Sequence, residues 1–232
     1  MRFRHRVAIM TGAAAGIGRG IAQRFAEGAA LVIADIDEEG IHETAAQIDS
    51  QRMVVIRAGE GTVEDTRLIV KQTVSRFGAM HILVNNAART RLQKPVQGMT
   101  LEEWDMCQHA GLRSVSLLSK WAGPVIRDSG GGSILNLGSV GAVTAWAGGA
   151  GYCAAKAGVV ALTKVLATEE AGIARNQDLH HHQFQAPEHW GGARFRLAQQ
   201  RPVLLGYFPF LHFANRAAAV EQICLMGTRC RA

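Results

Sequence analysis

The fold of this 232-residue chain is decided by Thr11-Gly12-Ala13-Ala14-Ala15-Gly16-Ile17-Gly18. This stretch stands between an apolar run of strand length at 6–10 and a segment of helical spacing that begins at Ile17. Glycines at such a junction permit a tight turn and let a ligand approach the backbone. The N–H groups and dipole of the following helix favour a pyrophosphate. The pattern predicts a dinucleotide site, and the alternative is a glycine-rich turn that binds no nucleotide.

Outward from this turn, short apolar runs alternate with longer segments of helical spacing as far as residue 172. The predicted strands are 6–10, 30–34, 53–57, 81–84 and 133–137. The predicted helices are 17–26, 38–48, 63–77, 101–126 and 151–170, and Thr100 with Glu103 predicts a capping box at the fourth. Continuous apolar strands that alternate with helices predict an α/β fold whose parallel sheet is covered on both faces.

The pattern changes after Gly172. Residues 1–172 are therefore expected to form the binding and catalytic domain, and 173–232 a divergent, irregular C-terminal segment. The run His180–His182 is interpreted as a solvated loop, because adjacent histidines cannot all face one metal ion. No metal site is expected.

Charge and cysteine content narrow the function classes. The formal net charge is +6, and residues 173–232 hold seven arginines against three acidic residues. Such a segment could attract nucleic acid, but no nucleic-acid motif accompanies it, so none is expected as a partner. The 4 cysteines lack the spacing of a zinc site or a disulfide framework. The apolar run 203–213 is shorter than the roughly 20 residues of a membrane helix. A soluble cytoplasmic protein is expected.

A carboxylate follows the second predicted strand. Asp35 stands at the distance from the glycine turn where an acidic residue accepts hydrogen bonds from the adenosine ribose. It would repel a 2′-phosphate, which favours NAD over NADP. Arg19, inside the turn, is the opposing signal, because a guanidinium could bind that phosphate.

A phenol and an ammonium stand four residues apart. Tyr152 and Lys156 would project from one face of the last predicted helix, and Ser139 precedes them. A phenol beside a fixed positive charge is a plausible proton-transfer unit, because the charge favours phenolate. The alternative interpretation is a half-buried tyrosine and a solvated lysine with no catalytic role.

With Asn85-Asn86-Ala87-Ala88 after the fourth strand and Tyr152-Cys153-Ala154-Ala155-Lys156, the chain resembles the short-chain dehydrogenase/reductase family from residue 6 to about 172. The resemblance implies one Rossmann-type, doubly wound domain that moves hydride between a nicotinamide and a secondary alcohol or ketone. It implies that Tyr152 is the general acid/base and that Ser139 holds the substrate oxygen. Lys156 would bind the nicotinamide ribose and lower the pKa of Tyr152.

The same resemblance implies the residues that contact the cofactor, a homo-oligomer if the C-terminal segment permits it, and a small alcohol or carbonyl compound as substrate. The expected cofactor contacts are Thr11, Gly12, Ala15, Gly16, Ile17, Gly18, Asp35, Ile36, Asn86, Ala87, Tyr152 and Lys156.

Three departures from the family pattern stand against full activity. Gly111 replaces an asparagine that anchors a water in the proton relay, and Gly59 replaces an aspartate near the adenine. The sixth and seventh strands are not recognisable in 173–232, and an altered reading frame is one hypothesis for that loss. The sequence thus leaves a second hypothesis open, a catalytically impaired relative that binds dinucleotide or a partner. Trp146 is expected to line an apolar substrate cleft.

Overall fold

The computed structural model describes residues 3–48, 51–58, 61–89 and 94–173. In these ranges five strands alternate with helices in chain order. The strands are β1 Val7–Thr11, β2 Ala30–Asp35, β3 Met53–Arg57, β4 Ile82–Asn85 and β5 Ser133–Asn136. The helices are α1 Gly16–Ala26, α2 Glu38–Ala46, α3 Val63–Phe77, α4 Leu101–Gln108, α5 Ser114–Asp128 and α6 Ala150–Ile173.

All five strands form one parallel sheet in the order β3-β2-β1-β4-β5. In the centre, Ile9 of β1 is in register with Val32 of β2 and with Leu83 of β4. The chain order reverses between β1 and β4, and ligands of open α/β sheets bind outside the carboxyl ends of the strands at such a point. The Rossmann-type arrangement that the resemblance implied is confirmed.

The core divides by the alternation of side chains along the strands. Met10 of β1 packs on one face of the sheet with Phe25 of α1 and Ile41 of α2. Ile9 packs on the other face with residues of α3 and α5, among them Leu118. Burial of each such side chain stabilises the fold by about 1.5–3 kcal/mol. The two layers of helices fix the sheet, and with it the positions of the strand ends.

The main difference from the predicted elements is the helix expected over 101–126. It is divided into α4 and α5 by a π-helical turn at His109–Arg113. The predicted capping box is confirmed, since Thr100 Oγ1 accepts from the Glu103 N–H and the Glu103 carboxylate accepts from the Thr100 N–H. The other predicted elements differ from the observed ones by three residues or fewer at either end.

Helix α6 runs from the edge of the sheet past the π-helical turn. It packs against α4, against that turn and against a short 3₁₀ turn at Val140–Ala142. Ala150–Glu170 is also long and apolar enough, by composition, to cross a membrane. The packing of α6 brings its first turns beside the loop that follows β5, and that is where the candidate site lies.

Candidate active site

The turn after β1 has the geometry of a phosphate cradle. Gly12 and Gly16 have φ of +66° and +58°, where a side chain is strained. A Cβ on Gly18 would lie 1.9 Å from the carbonyl oxygen of Gly12, so the turn and α1 can pack this closely only with glycine. Helix α1 begins at Gly16 with no side-chain cap from Ala15 and no acidic residue in its first turn. Its first N–H groups, beside open space at Gly16, fit a pyrophosphate.

The motif after β4 braces this turn from behind. The Asn86 side-chain amide donates to the carbonyl oxygens of Thr11 and Gly12, at 3.0 and 2.9 Å. The Thr11 hydroxyl accepts from the backbone N–H groups of Asn86 and Ala87, at 3.1 and 3.2 Å. The amide of Asn86 is therefore committed to the protein, and its visible function is to hold the glycine turn against β4.

Asp35, at the end of β2, has a fixed carboxylate. One oxygen accepts from the Ala14 N–H at 2.9 Å and the other from the Asp37 N–H at 3.0 Å. The first bond ties the carboxylate to the glycine turn, the second ties it to the chain after β2, and lone pairs remain for a further donor. The following residue, Ile36, is 36% exposed, so it offers an apolar surface beside the carboxylate.

Arg19, the residue that would favour NADP, is hydrogen-bonded to α2 and to the glycine turn. Its guanidinium donates to the Ala14 carbonyl oxygen, to Thr44 Oγ1 and to the Gly40 carbonyl oxygen. It also forms a 3.0 Å ion pair with Glu43. These partners were not predictable from the sequence spacing, and they occupy the Nε and Nη2 donors of the guanidinium.

Ser139 and Tyr152 come together beyond the end of β5. Ser139 is buried and caps the 3₁₀ turn, its Oγ accepting from the Gly141 N–H at 3.1 Å. Burial raises the pKa of Tyr152, whereas its side-chain hydrogen bond with Ser139 lowers that pKa. The predicted serine–tyrosine pair is thus present as two hydrogen-bonded oxygens.

Lys156 is 3% exposed and lies one turn further along α6. Its ammonium donates to the carbonyl oxygen of Leu137 at 2.7 Å and lies 5.9 Å from the centre of the Tyr152 ring. Burial lowers the pKa of Lys156 to about 8. The interpretation of Lys156 as a solvated helix residue is therefore wrong.

The expectation that Lys156 lowers the pKa of Tyr152 is not met in the polypeptide alone. The lysine, with its pKa of about 8, loses its charge before a phenol whose own pKa is raised can ionise. A neutral amine does not stabilise phenolate. Only groups that keep Lys156 charged, or that add positive charge beside the phenol, would make Tyr152 a base near neutral pH.

The π-helical turn approaches α6 next to this pair. Gly111 is buried, and a Cβ there would lie 3.0 Å from Cβ of Ala155. The asparagine that the family pattern expects at this position is absent, and the glycine allows close helix packing instead. Gln108, which the sequence analysis missed, donates to the Gly151 carbonyl oxygen at 3.0 Å and so holds the residue before Tyr152.

A buried amide pair, also missed, ties α6 to the sheet. Asn85 donates to Asn136 at 2.8 Å, and Asn136 donates to Thr163 of α6 at 2.9 Å. The signal was available, because the two asparagines end adjacent strands and each follows an apolar run. Their place in the register could only be read once the sheet order was known.

Gly59 and residues 174–232, which include His180–His182, lie outside the described residues. Within the described ranges, no group of three or more His, Cys, Asp or Glu side chains could hold a metal ion. The candidate site therefore consists of the glycine turn, the ends of β2, β4 and β5, and the first turns of α6.

Together, the fold and these strand ends define a Rossmann-type dinucleotide-binding protein with a serine, a tyrosine and a lysine at the edge of its sheet. Comparison with known proteins gives the family. The short chain dehydrogenase family matches residues 6–174. The chain belongs to the short-chain dehydrogenase family.

Named relatives cover a range of substrates. The chain is 38% identical over 184 residues to (2S)-[(R)-hydroxy(phenyl)methyl]succinyl-CoA dehydrogenase subunit BbsD of Thauera aromatica, covering 76% of this chain and 72% of that protein. It is 34% identical over 167 residues to the NAD-dependent glycerol dehydrogenase of Listeria innocua serovar 6a, covering 72% of this chain and 65% of that protein.

Solved structures agree with this assignment. The fold superposes on 3-ketoacyl-(acyl-carrier-protein) reductase from Brucella melitensis complexed with NADH, with a TM-score of 0.70 and 32% identity over 77% of this chain and 74% of that one. The chain spans 59–72% of the length of eight curated relatives that it matches.

Proposed function

We propose that this protein is an oxidoreductase that transfers hydride between a nicotinamide dinucleotide, NAD rather than NADP, and a secondary alcohol or its ketone. The observation that carries the proposal is the hydrogen-bonded pair of Ser139 and Tyr152 beside the buried ammonium of Lys156. Family membership and dehydrogenase relatives support the reaction class. The functional unit would be residues 1–172.

In this proposal each part of the chain has one task. The first N–H groups of α1 would hold the pyrophosphate, Asp35 the adenosine ribose, and Lys156 the nicotinamide ribose. Ala15, Gly16, Ile17 and Ala87 would lie along the dinucleotide. When bound, the nicotinamide accepts or supplies the hydride.

The proton would move through Tyr152. In the oxidation of an alcohol, Ser139 would hold the substrate oxygen by a hydrogen bond. Tyr152, ionised once positive charge lies beside the phenol, would take the hydroxyl proton. The C–H bond of the carbinol carbon breaks, its hydrogen leaves with both bonding electrons as hydride, and the C=O bond forms. In the reduction, the phenol returns the proton to the developing alkoxide.

Asp35 supports NAD as the preferred cofactor. Its carboxylate is held next to the glycine turn by two backbone donors, where a ribose 2′-phosphate would meet a like charge. Arg19, the residue that could offset this repulsion, is already paired with Glu43 and with backbone carbonyl oxygens.

The proposal also includes the assembly and the location of the protein. It would be a homo-oligomer in the cytoplasm, and α6 would be a packed helix and not a membrane span. Leu101 of α4 is 79% exposed and Val165 of α6 is 51% exposed, and a second copy would cover such apolar side chains. Light scattering after size-exclusion chromatography tests the assembly, and a monomer at all concentrations would contradict it.

The direct test of the activity is alcohol-dependent reduction of NAD. A panel of secondary alcohols should yield NADH, followed by its absorbance, and calorimetry should detect NAD binding to the same preparation. Binding without turnover on any alcohol or ketone would instead support the second candidate, a catalytically impaired relative.

The second candidate is favoured by the glycine at position 111, where the family pattern has an asparagine. If the missing asparagine limits turnover, G111N should restore it, provided that the tight contact with Ala155 is relieved. The double variant G111N/A155G supplies the space, and A155G alone is the matched control. A higher kcat in the double variant than in A155G would support impairment, and no gain would count against it.

A further inference from the structure

One large apolar side chain of the site remains partly exposed. Trp146 is 41% exposed and lies in the segment between the 3₁₀ turn and α6. Val143, on the same segment, is 64% exposed. Neither residue has a role in the proton transfer, and neighbouring exposed apolar side chains are typical of a binding surface.

The indole is seated against two glycines. A Cβ on Gly141 would lie 2.8 Å from the indole Cη2, and a Cβ on Gly149 would lie 2.7 Å from its Cε2. Real side chains do not approach so closely, so both positions must be glycine while Trp146 keeps this place. The two glycines thus make room for the indole, and packing against them fixes the position of the indole.

This seat also connects the indole with the catalytic oxygens. Gly141, on one side of the indole, donates its N–H to Ser139 Oγ at 3.1 Å. The centres of the Trp146 and Tyr152 rings are 6.0 Å apart, with 44° between their planes. The indole is therefore connected to both oxygens through direct contacts, and it lies beside the Tyr152 ring.

We propose that Trp146 forms one wall of the substrate site and that the preferred substrate carries a flat apolar ring, aryl or cycloalkyl, next to its carbinol carbon. The inference rests on the proposed function and adds the substrate class. A ring attached to a carbon whose oxygen contacts Ser139 and Tyr152 would pack on the indole, where aromatic pairs gain energy beyond the burial of area. A small polyol would leave the indole exposed to water.

The test compares kcat/KM for 1-phenylethanol with that for 2-propanol. In the wild-type protein the aryl alcohol should be preferred, and W146A should reduce this preference by about tenfold, equivalent to about 1.4 kcal/mol. W146F, which keeps a ring in the seat, should retain most of the preference. W104A removes another partly exposed tryptophan, 39% exposed on α4, and should leave the ratio unchanged.

An unchanged ratio in W146A, with wild-type circular dichroism, would overturn the proposal. So would an equal loss of preference in W104A. Failure of the proposed function is distinguishable, because then no alcohol is turned over. In that case calorimetry with acetophenone and NADH decides. If acetophenone binds the wild-type protein and W146A weakens this binding about tenfold, the proposed wall is supported. If acetophenone does not bind, or binds both proteins equally, the proposal is overturned.

Discussion

The Lys156 ammonium donates to the carbonyl oxygen of Leu137 at 2.7 Å, and Leu137 stands two residues before Ser139. The backbone N–H of Leu137 in turn donates to the carbonyl oxygen of Asn85 at the end of β4. One hydrogen-bonded path therefore joins α6, the chain after β5 and the neighbouring strand. This path fixes the position of the lysine relative to the serine. The ammonium is almost fully buried there.

This burial has a cost that depends on pH. The pKa of Lys156 is about 8 in the folded protein and 10.5 without burial, so the unfolded chain binds more protons between these values. The free energy of unfolding should therefore rise with pH across this window, and it should be lower by the full penalty below pH 8. The penalty is about 3 kcal/mol.

K156M removes the charge and therefore also removes this dependence of the unfolding free energy on pH. The unfolding free energy of K156M, relative to the wild-type protein, should be highest near pH 7 and fall by about 3 kcal/mol by pH 10.5. Urea denaturation at a series of pH values measures the difference, with K164M, an exposed lysine on the same helix, as the control. Parallel curves for K156M and K164M would show that Lys156 carries no such penalty.

The glycine turn offers a matched pair of substitutions. Gly16 and Gly78 both have positive φ, +58° and +71°, and neither has a heavy atom within 4 Å of an added Cβ. G16A and G78A should therefore lose a similar unfolding free energy, about 1–2 kcal/mol. Only G16A places a methyl group at the N-terminus of α1, and it should weaken NAD binding at least about tenfold, or about 1.4 kcal/mol. Calorimetry compares the two, and equal NAD affinity would argue against a pyrophosphate at this turn.

Asp35 should set the choice between the two dinucleotides. D35N removes the charge and keeps one of the two acceptor oxygens, so the affinity for NADP relative to NAD should rise about tenfold, or about 1.4 kcal/mol. Fluorescence titration of both dinucleotides gives the ratio, and E39Q, an exposed carboxylate at the start of α2, is the control. A ratio that stays at the wild-type value in D35N would assign the selectivity to another residue.

Much of the fold could be predicted, because the evidence for it is local. The apolar run at 6–10 and the glycines after it predicted β1 and α1 almost residue by residue. The π-helical turn at His109–Arg113 was not predictable, since an extra residue in a helix depends on what packs against it, here Ala155 beside Gly111. The spacing of Tyr152 and Lys156 likewise predicted a shared helix face.

Other properties of the site depend on tertiary contacts. The pKa of Lys156 is lowered by its burial beside Leu137, and for that reason the lysine does not lower the pKa of Tyr152 in the polypeptide alone. The pairing of Arg19 with Glu43 joins α1 to α2, and no local pattern indicates it. Trp146 was expected at the cleft, but its seat on two glycines appears only in three dimensions.

The most direct measurement is alcohol-dependent NADH formation by Y152F. The variant lacks only the phenolic oxygen that is hydrogen-bonded with Ser139. Its kcat should fall at least about a hundredfold, the usual contribution of a general acid or base, while calorimetry shows NAD bound as in the wild-type protein. Turnover at the wild-type rate would contradict proton transfer through Tyr152.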